Sequence, residues 1–196
     1  MRNQDRHIRR LTVLAMLAAL AYVGFAVLQF RIQLPGGDAT SIHLGNSICV
    51  LGALLFGGMY GGVGGAIGMS LGDLFDPTYI TYVPKTLITK LCIGLITGAV
   101  AHRVLHVSQQ TDPKRRSLYA VISAAAGLTF NCVFDPLFGY YYKLLILGKP
   151  AADLTLAWNV GATCINAVIS TAVGVAAYLA LRPALQRAGL FRDLLK

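Results

Sequence analysis

Residues 44–73 read LGNSICVLGALLFGGMYGGVGGAIGMSLGD, and the fold turns on how many times this stretch crosses an apolar layer. Thirty helical residues at ~1.5 Å each span ~45 Å, too long for one comfortable passage through a ~30 Å hydrocarbon core. Glycines cluster at Phe56-Gly-Gly-Met-Tyr-Gly-Gly-Val-Gly-Gly65 and supply a place to fold back. The stretch therefore reads as two short helices joined by a tight turn. Gly57, Gly61 and Gly65, and then Gly64, Gly68 and Gly72, recur every four residues. Each set forms a seam on which neighbouring helices can close.

Outside this stretch the apolar runs are simpler. Segments 11–30, 85–105, 117–142 and 154–181 each approach or exceed the ~20 residues of a span, which makes six helices in all. The chain of 196 residues has a mean hydropathy of +0.62 and only 13% charged residues, too apolar for a soluble domain. The expected fold class is an all-α integral membrane protein. It is a compact bundle of six transmembrane helices with helices 2 and 3 short or broken by glycine. Residues 1–196 form a single membrane domain with short tails at about 1–9 and 183–196. The first run is retained rather than cleaved, being longer than a signal core and lacking a clear small-residue cleavage site.

Net charge is +9, and its distribution argues for lipid rather than nucleic acid. With both termini cytoplasmic, twelve of the seventeen basic residues fall on inner segments, the positive-inside pattern. The other five, Arg31, Lys85, Lys90, Lys143 and Lys149, face Asp38, Asp73, Asp76, Asp135 and Asp153 on the outside. Cys49, Cys92, Cys132 and Cys164 lie in apolar runs without CxxC spacing, so buried free thiols are expected, with no metal cluster and no disulfide framework. Segment 31–43 reads as an outer loop punctuated by Pro35-Gly36-Gly37.

Charge and amide groups recur in the outer half of the helices. Helix six carries Asn159, Thr163, Asn166 and Ser170 on one face, beside Trp158. Helix five offers Asn131, Asp135 and Tyr142, and helix four offers Lys85, Thr86, Thr89 and Lys90. Ser70 and Asp73 end helix three, and His43 and Asn46 begin helix two. Taken singly, a Ser or Thr is helix-to-helix glue worth under ~1–2 kcal/mol. Taken together, so many ionisable and amide groups require a wet or ligand-filled space. Tyr79 and Tyr82 belong either to an interfacial belt or to a stacking surface. His43 alone is weak as a metal ligand. Asp76 precedes Pro77 and fits a helix cap as well as a ligand contact. Asp135 also precedes a proline, but its place in a long apolar run favours the site. No HExxH, GxSxG or P-loop is present, and the chain holds no glutamate, so catalysis finds no support.

A basic N-terminus leading into Ala15-x-x-x-Ala19, followed by IHLGNSICVLGALLFGGMYGGVGGAIGMSLGDLF and YVPKTLITKLCIGLITG, resembles the substrate-binding S component of energy-coupling factor (ECF) vitamin transporters over about residues 9–181. The resemblance implies a multi-pass protein of a prokaryotic cell membrane that captures a vitamin-like micronutrient under its outer loops, without a cofactor. It implies as partners a transmembrane coupling subunit and two ATPases, met through Ala15 and Ala19. The polar set suits a flat heterocycle, with thiamine precursors, pyridoxine, riboflavin and folate all open. The rival reading is a self-sufficient secondary transporter or channel, against which stands the lack of an inverted repeat beyond a shared Phe-Asp-Pro.

Overall fold

A computed structural model describes residues 2–34, 38–148 and 152–189. Its elements run α1 (Arg2–Tyr22), β1 (Gln29–Leu34), β2 (Asp38–His43), α2 (Gly45–Phe56), α3 (Gly58–Leu74), α4 (Val83–Ala99), α5 (Pro113–Tyr141) and α6 (Ala152–Arg187). Single π turns prolong α1, α4 and α5 over Val23–Val27, Val100–Val104 and Tyr142–Ile146. Among the described residues four helical stretches are long and apolar enough to cross a membrane: His7–Val27, Ile80–Val104, Pro113–Ile146 and Thr155–Arg187. Between the first two lie α2 and α3, of 12 and 17 residues, or ~18 and ~26 Å of helix. The chain reverses between them at Gly57, whose φ of +99° is open to glycine and costly for other residues. Helix starts earlier than the expected N-terminal tail allows, at Arg2, and continues past residue 183 to Arg187.

Helix α3 is the packing hub because its glycines bring backbones together. A Cβ on Gly61 would run into the backbone of Cys49 and Ala53 in α2, and one on Gly62 would come within 2.8 Å of the Leu91 carbonyl in α4. Gly64 and Gly68 lie equally close to Leu17 and Ala18 of α1. In lipid, where burial of apolar surface gives helices no preference for one another, this close contact is what holds them together. Large apolar side chains cover the outer surface, with Val168 73% and Leu145 75% exposed, as a hydrocarbon solvent requires.

The segment expected as a loop at 31–43 is a β-hairpin. β1 and β2 pair antiparallel, from Gln29 opposite His43 to Leu34 opposite Asp38; Pro35-Gly36-Gly37 lies outside the described residues. The hairpin, the connection from α3 to α4 and the end of α5 gather at one end of the bundle, joined by the ion pairs Arg31–Asp76 and Lys143–Asp38. At the opposite end His102 bonds the Ala53 carbonyl at 2.9 Å, and Arg182 donates to the Ser108 carbonyl at 2.9 Å. The cysteines are free thiols, but only Cys49 is buried and Cys164 is exposed on the surface of the bundle. The expectation that all four would be buried is thus corrected: Cys164 sits on the outward side of α6.

Candidate functional site

Beneath the hairpin the polar faces of α2 to α6 enclose a cavity. Ten of the residues singled out in the sequence line it: His43, Asn46, Asp73, Tyr79, Tyr82, Lys85, Asn131, Asp135, Asn159 and Asn166. Helical spacing explains the convergence, since Asn131 and Asp135 share one face of α5, and Asn159, Thr163 and Asn166 share one face of α6. Three expected residues lie elsewhere. Tyr142 donates its hydroxyl proton to the Thr81 carbonyl at 2.9 Å, tying the end of α5 to the start of α4. Trp158 is 55% exposed on the outer side of α6, beside Ile32 and Ile42 of the hairpin. Asp76 accepts the Thr78 N–H at 2.9 Å and pairs with Arg31, so it closes a turn ahead of α4 rather than capping the helix. The Asp135-Pro136 pair is no cap either, because it lies inside α5.

Each side chain is held by a definable set of contacts. Asn166 clamps β2 edge-on to α6: its Oδ1 accepts the His43 N–H at 2.8 Å and its Nδ2 donates to the Ser41 carbonyl at 2.8 Å. The Gly45 N–H donates to His43 Nδ1 at 3.2 Å, and the imidazole meets Phe25 edge to face with centroids 4.9 Å apart. Burial pushes the His43 pKa down to about 3, with the Lys90 ammonium acting in the same sense. This imidazole is neutral at physiological pH and serves as a hydrogen-bonding corner. Among the described residues no three metal-ligating side chains come together.

Ion pairs line the wall. Lys85 Nζ donates to Asp135 Oδ2 at 3.2 Å, and Lys90 Nζ stands 4.0 Å from Asp135 Oδ1. On the hairpin side Asp38 pairs with Lys143 and accepts the Tyr82 hydroxyl proton at 3.0 Å, while Lys143 also donates to Thr155 Oγ1 at 3.0 Å. Burial pushes the Asp38 carboxyl up, but the hydrogen bonds and charge of Lys143 outweigh it and hold the pKa below the usual carboxylate value. Lys90, Thr86 and Thr163, read from sequence among the polar groups of the outer half, line the cavity too, and Asp38, Lys143, Phe25 and Ser41 line it although no site role was assigned to them from sequence. Three carboxylates (Asp38, Asp73, Asp135) and three ammonium groups (Lys85, Lys90, Lys143) thus share the wall, a formally neutral balance.

Some wall atoms have nothing to bond. Asn46 Oδ1, Asn131 Oδ1, Asp73 Oδ2 and Asp135 Oδ1 are buried without a hydrogen-bond partner in the protein. Leaving such groups unpaired costs ~1–3 kcal/mol each, and natural proteins rarely keep several together without something to satisfy them. Chemically the arrangement can act as a receptor, a ring of donors and acceptors in which several acceptors have no partner in the protein.

A family model described as ECF-type riboflavin transporter, S component, matches residues 6–183. No curated protein and no solved structure matches the chain.

Proposed function

Because the chain belongs to the S-component family of ECF-type riboflavin transporters, it is a multi-pass, substrate-binding membrane subunit of a vitamin uptake system and not an enzyme, and we propose that it captures riboflavin from outside a prokaryotic cell. The observation that carries this reading is the set of unpartnered amide and carboxylate oxygens in a cavity roofed by the hairpin. The balance of three carboxylates against three ammonium groups suits a ligand that is polar but uncharged. Riboflavin has that character, whereas folate carries negative charge and thiamine positive charge.

All six helices are taken to lie across the bilayer, with the hairpin end outward and both termini cytoplasmic. The positive-inside pattern supports this orientation, since the opposite end carries Arg103, Lys114, Arg115, Arg116, Arg182 and Arg187. Delivery inward then needs the coupling subunit and two ATPases, because the chain has no nucleotide motif of its own. Ala15 and Ala19 are exposed on α1 and offer those partners a close-approach face.

The test uses the purified chain in detergent and then in liposomes. Riboflavin should bind with quenching of flavin fluorescence, and the isolated chain should not accumulate it. Accumulation should require the coupling and ATPase subunits with ATP. Uptake by the chain alone under an ion gradient would instead identify a self-sufficient carrier.

A further inference from the structure

The strongest chemical pattern in the wall is an alternation. Lys85 and Lys90, five positions apart on α4, both approach the one carboxylate of Asp135 on α5, at 3.2 Å to Oδ2 and 4.0 Å to Oδ1 respectively. The side chains are 19%, 8% and 12% exposed in the order Lys85, Lys90, Asp135, so water competes little for them. Asp135 Oδ1 has no hydrogen-bond partner. At 4.0 Å the Lys90 ammonium is a charge neighbour of that oxygen, beyond hydrogen-bond reach. Two ammonium groups therefore flank a carboxylate that retains accepting capacity. Read along the wall, the order is donor, acceptor, donor.

We propose that Lys85, Asp135 and Lys90 read an imide edge of the ligand, with Asp135 accepting its N–H and the two lysines donating to the flanking carbonyls. The complement of a donor–acceptor–donor wall is acceptor–donor–acceptor, which is the C=O, N–H, C=O edge of a pyrimidinedione and of the flavin ring that contains one. Other heterocycles fail at a nameable atom. A 2-amino-4-oxopteridine sets two adjacent donors against the array, so one lysine meets an N–H. A 4-aminopyrimidine offers no second carbonyl, and a carboxylate ligand brings its charge to Asp135. Asn131, one turn before Asp135 and with Oδ1 unpartnered, remains free to accept from a hydroxyl of the ligand's side chain. The inference rests on the reading of this cavity as the capture site, and it selects which edge of the ligand faces α4 and α5.

The decisive comparison is made on the unaltered protein in detergent, titrated with riboflavin, 3-methylriboflavin and a lumazine that keeps the imide without the third ring. Methylation at N3 keeps both carbonyls and removes only the proton that Asp135 accepts. Loss of a hydrogen bond to a charged group should raise the dissociation constant roughly ten- to hundred-fold. In Asp135→Ala the ratio between the two flavins should collapse toward one, and because it is measured within one protein it is insensitive to partial loss of folded material. Lys90→Met, which keeps the fold's apolar contacts, should weaken riboflavin and leave the methyl ratio in place. Equal affinity of the unaltered protein for riboflavin and 3-methylriboflavin would overturn the imide assignment while leaving riboflavin capture intact. Binding of the lumazine but not of riboflavin would uphold the imide assignment and remove the flavin reading. Binding of neither would overturn both.

Discussion

Asp38 and Lys143 carry the hairpin's attachment, and they illustrate which residues a sequence conceals. Both are buried, and the pair is joined by Tyr82 and Thr155, so removing one partner strands a charge; for Asp38→Asn the expected loss is about 3 kcal/mol. The pH dependence follows from the depressed pKa of Asp38. Its contribution is fully present above the unfolded value of ~3.9 and disappears as pH falls through the lower folded value. The difference in thermal stability between the natural protein and Asp38→Asn should accordingly be large at pH 7 and shrink below about pH 4; a gap that stays constant down to pH 3 would show that the pair does not anchor the hairpin. Asp135 and Asn131 were legible because a carboxylate and an amide inside an apolar run demand an explanation. In the sequence Asp38 and Lys143 read only as outer charges that cancel, since nothing in their spacing says that 105 positions of chain separate the two halves of one ion pair. Trp158 differs for the opposite reason: Asn159 beside it lines the cavity, but Trp158 with Ala157 lies on the exposed side of α6.

At the scale of elements, helices were readable and the hairpin was not. Gln29-Phe30-Arg31-Ile32-Gln33-Leu34 alternates polar and apolar without a break, the period-2 signal of a strand, but the adjoining Pro35-Gly36-Gly37 is the stronger local signal and reads as a loop. The glycine seam, in contrast, says where backbones must touch. Gly94 of α4 lies against the backbone of Gly62 in α3, whereas a Cβ on Gly161 of α6 would meet nothing within 4 Å. Gly94→Ala should therefore cost about 1–3 kcal/mol through overpacking, and Gly161→Ala should be neutral or gain up to ~1 kcal/mol from helix propensity. Thermal unfolding of the two variants in detergent checks this, and equal stability would mean that α3 and α4 can part without cost. Because α4 carries Lys85 and Lys90, a shift there should also weaken ligand binding.

For the molecule as a whole, charge was the most legible signal and the partner face the most conditional one. The basic residues at the end opposite the hairpin argue for the proposed orientation without reference to any side-chain contact, so that proposal rests on the sequence and not on the cavity. By spacing alone the Ala15-x-x-x-Ala19 pair favours packing inside the chain, and only the family resemblance makes it a docking face. In the folded chain the inward side of α1 is provided by Val13, Leu17 and Ala21, which are buried, while Ala15 and Ala19 are exposed. Leu17 and Ala18, not the alanine pair, lie against the glycines of α3. A bulky residue at either exposed position thus meets no neighbour in the subunit itself but would hold a partner helix away, because association in lipid depends on close backbone approach. The double variant Ala15→Leu, Ala19→Leu should bind riboflavin with the affinity of the natural protein, yet co-purify poorly with the coupling subunit and support at most a tenth of its ATP-driven uptake, corresponding to roughly 1.4 kcal/mol or more of lost association. Pull-down and vesicle uptake measured on the same preparation separate the two effects. Weakened riboflavin binding with assembly intact would place this face inside the working subunit and remove it as the docking surface.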